Sequence, residues 1–175
     1  INVASGDYGQ SATLGGVRDL DLGDVTLESL TLTAGAAGST LGGNLTASGS
    51  GLTFSDGLIL SRDTVLSGGD ITLGSVSGAH ALTVDGDIIA IGAADLASLT
   101  ATGATIGTAG VTTTGAQSYT GATTLNGAYT GTGFTVAGAT TLGGNTTVGG
   151  SNITLGSVNG AHSLGLTGTG AVVLG

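Results

Sequence analysis

Ile71-Thr-Leu-Gly-Ser-Val-Ser-Gly-Ala-His80 returns, with Asn in place of its second Ser, as Ile153-Thr-Leu-Gly-Ser-Val-Asn-Gly-Ala-His162. A phrase that recurs in this way, far downstream and nearly unchanged, marks a repeat array. The sequence between the copies uses the same alphabet: short runs of Leu, Ile, Val and Thr cut by glycine. Units of this kind cannot bury an apolar face alone and must stack on their neighbours, which is the logic of a solenoid.

Around the phrase, period-two alternation recurs in Leu30-Thr31-Leu32-Thr33, Leu52-Thr53-Phe54, Leu82-Thr83-Val84 and Phe134-Thr135-Val136. In a strand this puts aliphatic residues on one face and threonine on the other. Leu73, Val84, Phe134, Val136 and Leu155 are therefore expected inward, with their alternating threonines outward. Glycine is costly inside helices and no stretch holds a helical period, so helix content should be near zero.

The coil length is read from a second phrase. Gly121-Ala-Thr-Thr-Leu-Asn-Gly127 returns as Gly138-Ala-Thr-Thr-Leu-Gly-Gly144, and a weaker relative, Gly103-Ala-Thr-Ile-Gly107, precedes both. The starts at Gly103, Gly121 and Gly138 are almost evenly spaced, as one start per coil requires. At about 3.3 Å per residue, a coil of about 17 to 21 residues holds three strands of four or five residues joined by tight turns. The expectation is an all-β, three-sided parallel β-helix forming a single continuous segment over residues 1–175. An antiparallel sandwich would instead show regular hairpin signals. The few Asp-Gly and Asn-Gly pairs, Asp56-Gly57 and Asn126-Gly127, serve equally well at a helix corner.

Composition agrees. The 175 residues include 37 Gly and no Pro, Cys, Met or Trp, with 3% aromatic residues. Glycine without proline or a strict collagen period excludes a triple helix, and the apolar content excludes a flexible linker. Without cysteine there are no disulfides or thiolate metal sites. The net charge of −9 repels nucleic acid and anionic membranes. The longest apolar stretch, Ile88 to Ala94, is far below the roughly 20 residues of a membrane helix. The chain opens on Ile1 without a targeting signal, as expected of an internal piece or a processed product.

Charge divides the chain in two. Every Asp, Glu and Arg lies at or before Asp95, and residues 96–175 carry none. Because the strand pattern does not change at this boundary, the expectation is one solenoid with two surface characters, acidic over 1–95 and charge-free over 96–175.

The phrase Gly-Ser-Val-Asn-Gly-Ala-His-Ser-Leu at 156–164, followed by Leu-Thr-Gly-Thr-Gly-Ala-Val-Val-Leu at 166–174, resembles repeat regions of large filamentous-hemagglutinin-like exoproteins of Gram-negative bacteria. The likeness is clearest over about 71–175. It implies a right-handed parallel β-helix, export by a two-partner route, and service as a shaft or adhesive surface.

Several residues stand out as candidate sites. His80 and His162 hold equivalent places in the repeated phrase, so they are expected at equivalent corners on the same side, several coils apart. At about 4.8 Å per coil they lie too far apart to share a metal ion. Asp19 with Asp21, and Asp85 with Asp87, are weak calcium candidates, although the nonapeptide array of calcium-loaded β-rolls is absent. No cofactor is otherwise implied. Asn44, Asn145 and Asn152 fit the Asn-x-Ser/Thr glycosylation pattern, with a stacked asparagine ladder as the structural alternative. Thr-x-Thr pairs at Thr31/Thr33, Thr100/Thr102, Thr112/Thr114 and Thr130/Thr132 raise the question of ice binding. Their uneven placement along the chain does not suggest one coil period.

No catalytic residues emerge. The chain has no Lys and only Arg18 and Arg62, so a polysaccharide lyase lacks its cations and a phosphate loop is excluded. A glycosidase would need two carboxylates facing each other across a cleft. The function expected is the structural shaft of a secreted or cell-surface filamentous adhesin, mediating adhesion or aggregation and not catalysis. The alternatives are a self-assembling fibre or sheath subunit and a glycan-binding or glycan-cleaving β-helix. Expected partners are copies of itself, a continuation of the solenoid, or a host-surface or glycan receptor.

Overall fold

The computed structural model describes residues 2–3, 6–15, 21–33 and 38–175. These residues form an all-β solenoid of about nine turns with no helix. Every strand pair is parallel. Each turn visits three faces in order. The first face opens with Asn2–Val3 and Asp21–Leu22, the second with Gly6–Asp7 and the third with Ser11–Gly15. The extended segments Leu45–Leu60, Asp70–Asp85, Ala94–Thr113 and Ala116–Thr130 each round at least one corner without leaving the hydrogen-bonded ladder.

The coil length varies. On the third face the register step is longest from Leu30 to Leu52 and shortest over the successive steps from Ile89 to Ile106, Thr123 and Thr140. Bulges at the corners absorb the differences, for example between Leu27 and Ser29 and between Thr102 and Thr105. The strands themselves therefore stay in phase, and equivalent side chains stack from coil to coil.

On the second face one inward column runs through Leu45, Leu66, Val84, Ala101, Tyr119 and Val136. On the third face another runs through Leu30, Leu52, Ile71, Ile89 and Ile106. The five residues expected inward, Leu73, Val84, Phe134, Val136 and Leu155, are all at most 2% exposed. Threonine is less uniformly outward than the alternation implies. Thr64, Thr108, Thr113, Thr123, Thr140 and Thr146 are buried, mostly where an inward position falls beside a turn. There the hydroxyl satisfies a nearby backbone carbonyl: Thr64 donates to Arg62, Thr123 to Gly121 and Thr146 to Gly144, at 3.0–3.1 Å. Among the buried side-chain polar atoms of the described residues, only Oγ1 of Thr140 lacks a partner.

Candidate functional site

The two histidines do not share a corner, which corrects the expectation drawn from the phrase. Ile71–Leu73 lie on the third face, whereas Ile153–Leu155 lie on the second. His80 consequently sits between the first and second faces, and His162 between the third and first. The physical reason is the coil length. Five coils from Ile71 lead through Ile89, Ile106, Thr123 and Thr140 to Val158, not to Ile153. The second copy therefore starts one strand and corner short of five turns.

The phrase nevertheless folds alike in both places. Gly78 and Gly160 have φ of 131° and 130°, and a Cβ on either would meet Leu60 or Leu142. Both glycines are required, since the left-handed region and the close approach to the coil below each disfavour a side chain. The support beneath is repeated too: Asp63 Oδ1 accepts from Ala81 N at 2.9 Å, and Asn145 Oδ1 accepts from Ser163 N at 3.2 Å. His80 Nδ1 lies 3.6 Å from that Asp63 carboxylate, whereas His162 is exposed above the neutral Asn145.

The same device explains all three asparagines of the glycosylation pattern. Each side-chain oxygen accepts a backbone N–H from the next coil: Asn44 from Val65 at 2.8 Å, Asn145 from Ser163, and Asn152 from Ala171 at 3.0 Å. Asn44 N in turn donates to Asp24 Oδ1 at 2.7 Å. These residues tie one coil to the next at or beside corners, using backbone N–H groups that would otherwise need another acceptor.

Asp85 ends a second-face strand in register with Ser67 and Thr102, and Asp87 lies beyond Gly86 on the following corner. Both are exposed. Asp19 and the side chain of Asp21 lie outside the described residues. Among the described residues no three His, Cys, Asp or Glu side chains come together as a metal site. A recess lined by Gly78, Ala79, Asp95, Leu96 and Thr114 encloses about 160 Å³ and contains one carboxylate. Glycoside hydrolysis in that recess would lack its second carboxylate.

Two of the three tyrosines point inward. Tyr119 and Tyr129 flank Phe134 with ring centroids 5.4 Å apart in each case. Tyr119 Oη donates to Gln117 Oε1 at 3.0 Å, and Gln117 Nε2 donates to the carbonyls of Val111 and Thr130. Tyr129 Oη meets Thr108 Oγ1 at 2.7 Å and accepts from Asn126 N. Burial, with Tyr129 close by, pushes the Tyr119 phenol well above its ordinary range; burial also raises Tyr129, against the pull of Thr108 and backbone hydrogen bonds. The sequence hint was Gln117-Ser-Tyr119, which occupies the period-two slots that Leu82 and Val84 fill earlier.

The outward surface carries one regular feature. On the second face Thr83, Thr100, Ser118, Thr135 and Thr154 stack in direct register, one per coil. No repeated Thr-x-Thr phrase marks this column, because its hydroxyls come from differently worded coils. The step from Thr112 to Thr130, moreover, is one coil, on the first face. The third-face column in the same region reads Gly107, Thr124, Thr141, Asn159. No family model, no curated protein and no solved structure matches this chain.

Proposed function

We propose that the chain is a segment of the shaft of a secreted or cell-surface filamentous adhesin, with a mechanical and interaction role and no catalytic one. One observation carries this reading: among the described residues parallel coils stack through about nine turns, so the fold extends along one axis. Parallel coils load many backbone hydrogen bonds together when pulled along the sheet, and their corners are tied by side-chain bonds from Asn44, Asp63, Asn145 and Asn152. The resemblance of residues 156–174 to filamentous-hemagglutinin-like repeats supports an extracellular, Gram-negative setting and a two-partner export route.

The test is immunogold electron microscopy on intact cells that make the protein, with antibody against the purified segment. Gold on surface filaments, removed when the cells are shaved with protease, is the expected result. Label confined to the cell interior overturns the reading. The charge-free second half favours, as a second reading, a fibre or sheath subunit that assembles from identical copies.

A further inference from the structure

We infer that the hydroxyl column of the second face is the contact by which two copies of this chain pair side by side in antiparallel orientation. The inference rests on the shaft reading and names the shaft's partner. Its first support is continuity. From Thr83 to Thr154 every outward residue of this column is Thr or Ser, whereas the first- and third-face columns are broken by Gly149 and Gly107. The column beside it reads Asp85, Thr102, Thr120, so the last carboxylate on this face lies at the lower edge of the patch.

The second support is self-complementarity. A two-fold interface sets the same patch against itself, which defeats a row of carboxylates or of ammonium groups. A hydroxyl both donates and accepts, so a threonine column can satisfy its own copy without leaving a buried ion unpaired. Thr100, Thr135 and Thr154 are exposed and free to meet a second copy.

Charge supplies the orientation. All 11 acidic side chains lie at or before Asp95. A parallel pair would lay acidic coils against acidic coils, whereas an antiparallel pair centred on Ser118 sets each overlapping acidic coil opposite a neutral one. Five coils of about 4.8 Å and a strand of about 15 Å give roughly 350 Å² per copy. This falls in the weak class, well below the roughly 800 Å² per partner of a stable complex. The pairing therefore gains strength only when many segments act together along a shaft.

The experiment uses the chain as it stands, by sedimentation velocity and X-ray scattering up to about 1 mM protein, the regime for weak pairs. Elongated monomers in reversible equilibrium with dimers are expected. The double variant Thr135→Asp, Thr154→Asp should weaken dimerisation at least tenfold, while Thr130→Asp on the first face and Thr141→Asp on the third leave it unchanged. The chain has no cysteine, so Val65→Cys takes a single spin label. Antiparallel pairing centred on Ser118, the middle of the column, places the two labels about 30 Å apart along the axis, three coils either side of it. Labels within about 20 Å, equal loss in the control variants, or an elongated monomer at every concentration overturns the pairing, and the last leaves the shaft reading standing. A particle that is not elongated overturns both.

Discussion

Residues 60–82 and 142–164 carry one structural unit in two electrical versions. Arg62, Asp63 and Asp70 of the first become Gly144, Asn145 and Asn152 in the second, while Gly68, Gly74 and Gly78 are kept as Gly150, Gly156 and Gly160 and the inward aliphatic positions stay aliphatic. The threonine at the turn behaves alike, Thr64 donating to the carbonyl of Arg62 and Thr146 to that of Gly144, each at 3.0 Å. Yet the units are rotated by one face about the solenoid axis. A three-sided coil has three near-equivalent corners, so a strand–corner–strand unit fits at any of them once its own hydrogen bonds are satisfied. The corner is thus specified within the unit itself, including the Asp63 or Asn145 acceptor that its preceding coil supplies from below.

The largest effect tests whether the two corners are as alike energetically as geometrically. Gly78→Val places a β-branched side chain at φ 131° against Leu60 and should cost about 3 kcal/mol or more in denaturant unfolding. Gly160→Val meets the same obstacle at Leu142, but strand Leu164–Gly168 that follows it is exposed or only partly buried. Opening there is local, so the second variant should change hydrogen exchange in residues 152–168 more than the global transition. Equal global losses would mean that the end of the chain unfolds together with its middle.

Much of this architecture was legible in the sequence, and the failures have a common cause. The inward residues and the coil length followed from alternation and from short-range phrase spacing, because strand periodicity is a local property. The phase of the long-range repeat, from Ile71 to Ile153, did not follow, since it depends on accumulated corner bulges that no single phrase records. The hydroxyl column was missed for the same reason: register is conserved in space while wording is not. Buried threonines such as Thr140, and the inward Tyr119 and Tyr129, were hidden because a residue type usually placed outward takes an inward slot when its hydroxyl finds a carbonyl or amide. The candidate site had no chemical motif to read. Only the charge boundary at Asp95 pointed toward it.

The next effect contrasts the aliphatic core of the acidic half with the polar aromatic cluster of the neutral half. Burial favours the neutral Tyr119 phenol, so its folded pKa lies above the unfolded value near 10.0. Its contribution is fully present below pH 10 and is lost as pH rises toward the folded value, by up to about 1.4 kcal/mol per unit. Denaturant midpoints measured from pH 8 to 12 should fall above about pH 10. Tyr119→Phe should retain only the shallower dependence due to Tyr129. A pH-independent midpoint would mean that the cluster opens to water.

Thr140 offers a gain. It occupies the column of Ile89 and Ile106, with 0% exposure and no partner for its hydroxyl. Thr140→Val keeps the shape and removes an unsatisfied buried group, and should stabilise the chain by about 1 kcal/mol. Thr123→Val, one coil below, removes a hydroxyl that donates to Gly121 at 3.1 Å and should yield no such gain. Thermal denaturation of the two variants side by side separates a satisfied hydroxyl from an orphaned one.

The smallest effect converts one unit of the opening comparison into the other. Asp63→Asn gives the first corner the residue that Asn145 supplies at the second. The side-chain oxygen can still accept from Ala81 N, as Asn145 does from Ser163 N. What is lost is the charge facing His80 at 3.6 Å, a contact in which the Asp63 side chain is 79% exposed and therefore well screened. Stability should change by less than about 0.5 kcal/mol, whereas Asp63→Ala, which removes the acceptor, should cost about 1 kcal/mol. If Asn proves as damaging as Ala, the corner depends on the carboxylate's charge. The neutral second half would then need another reason to hold the same shape.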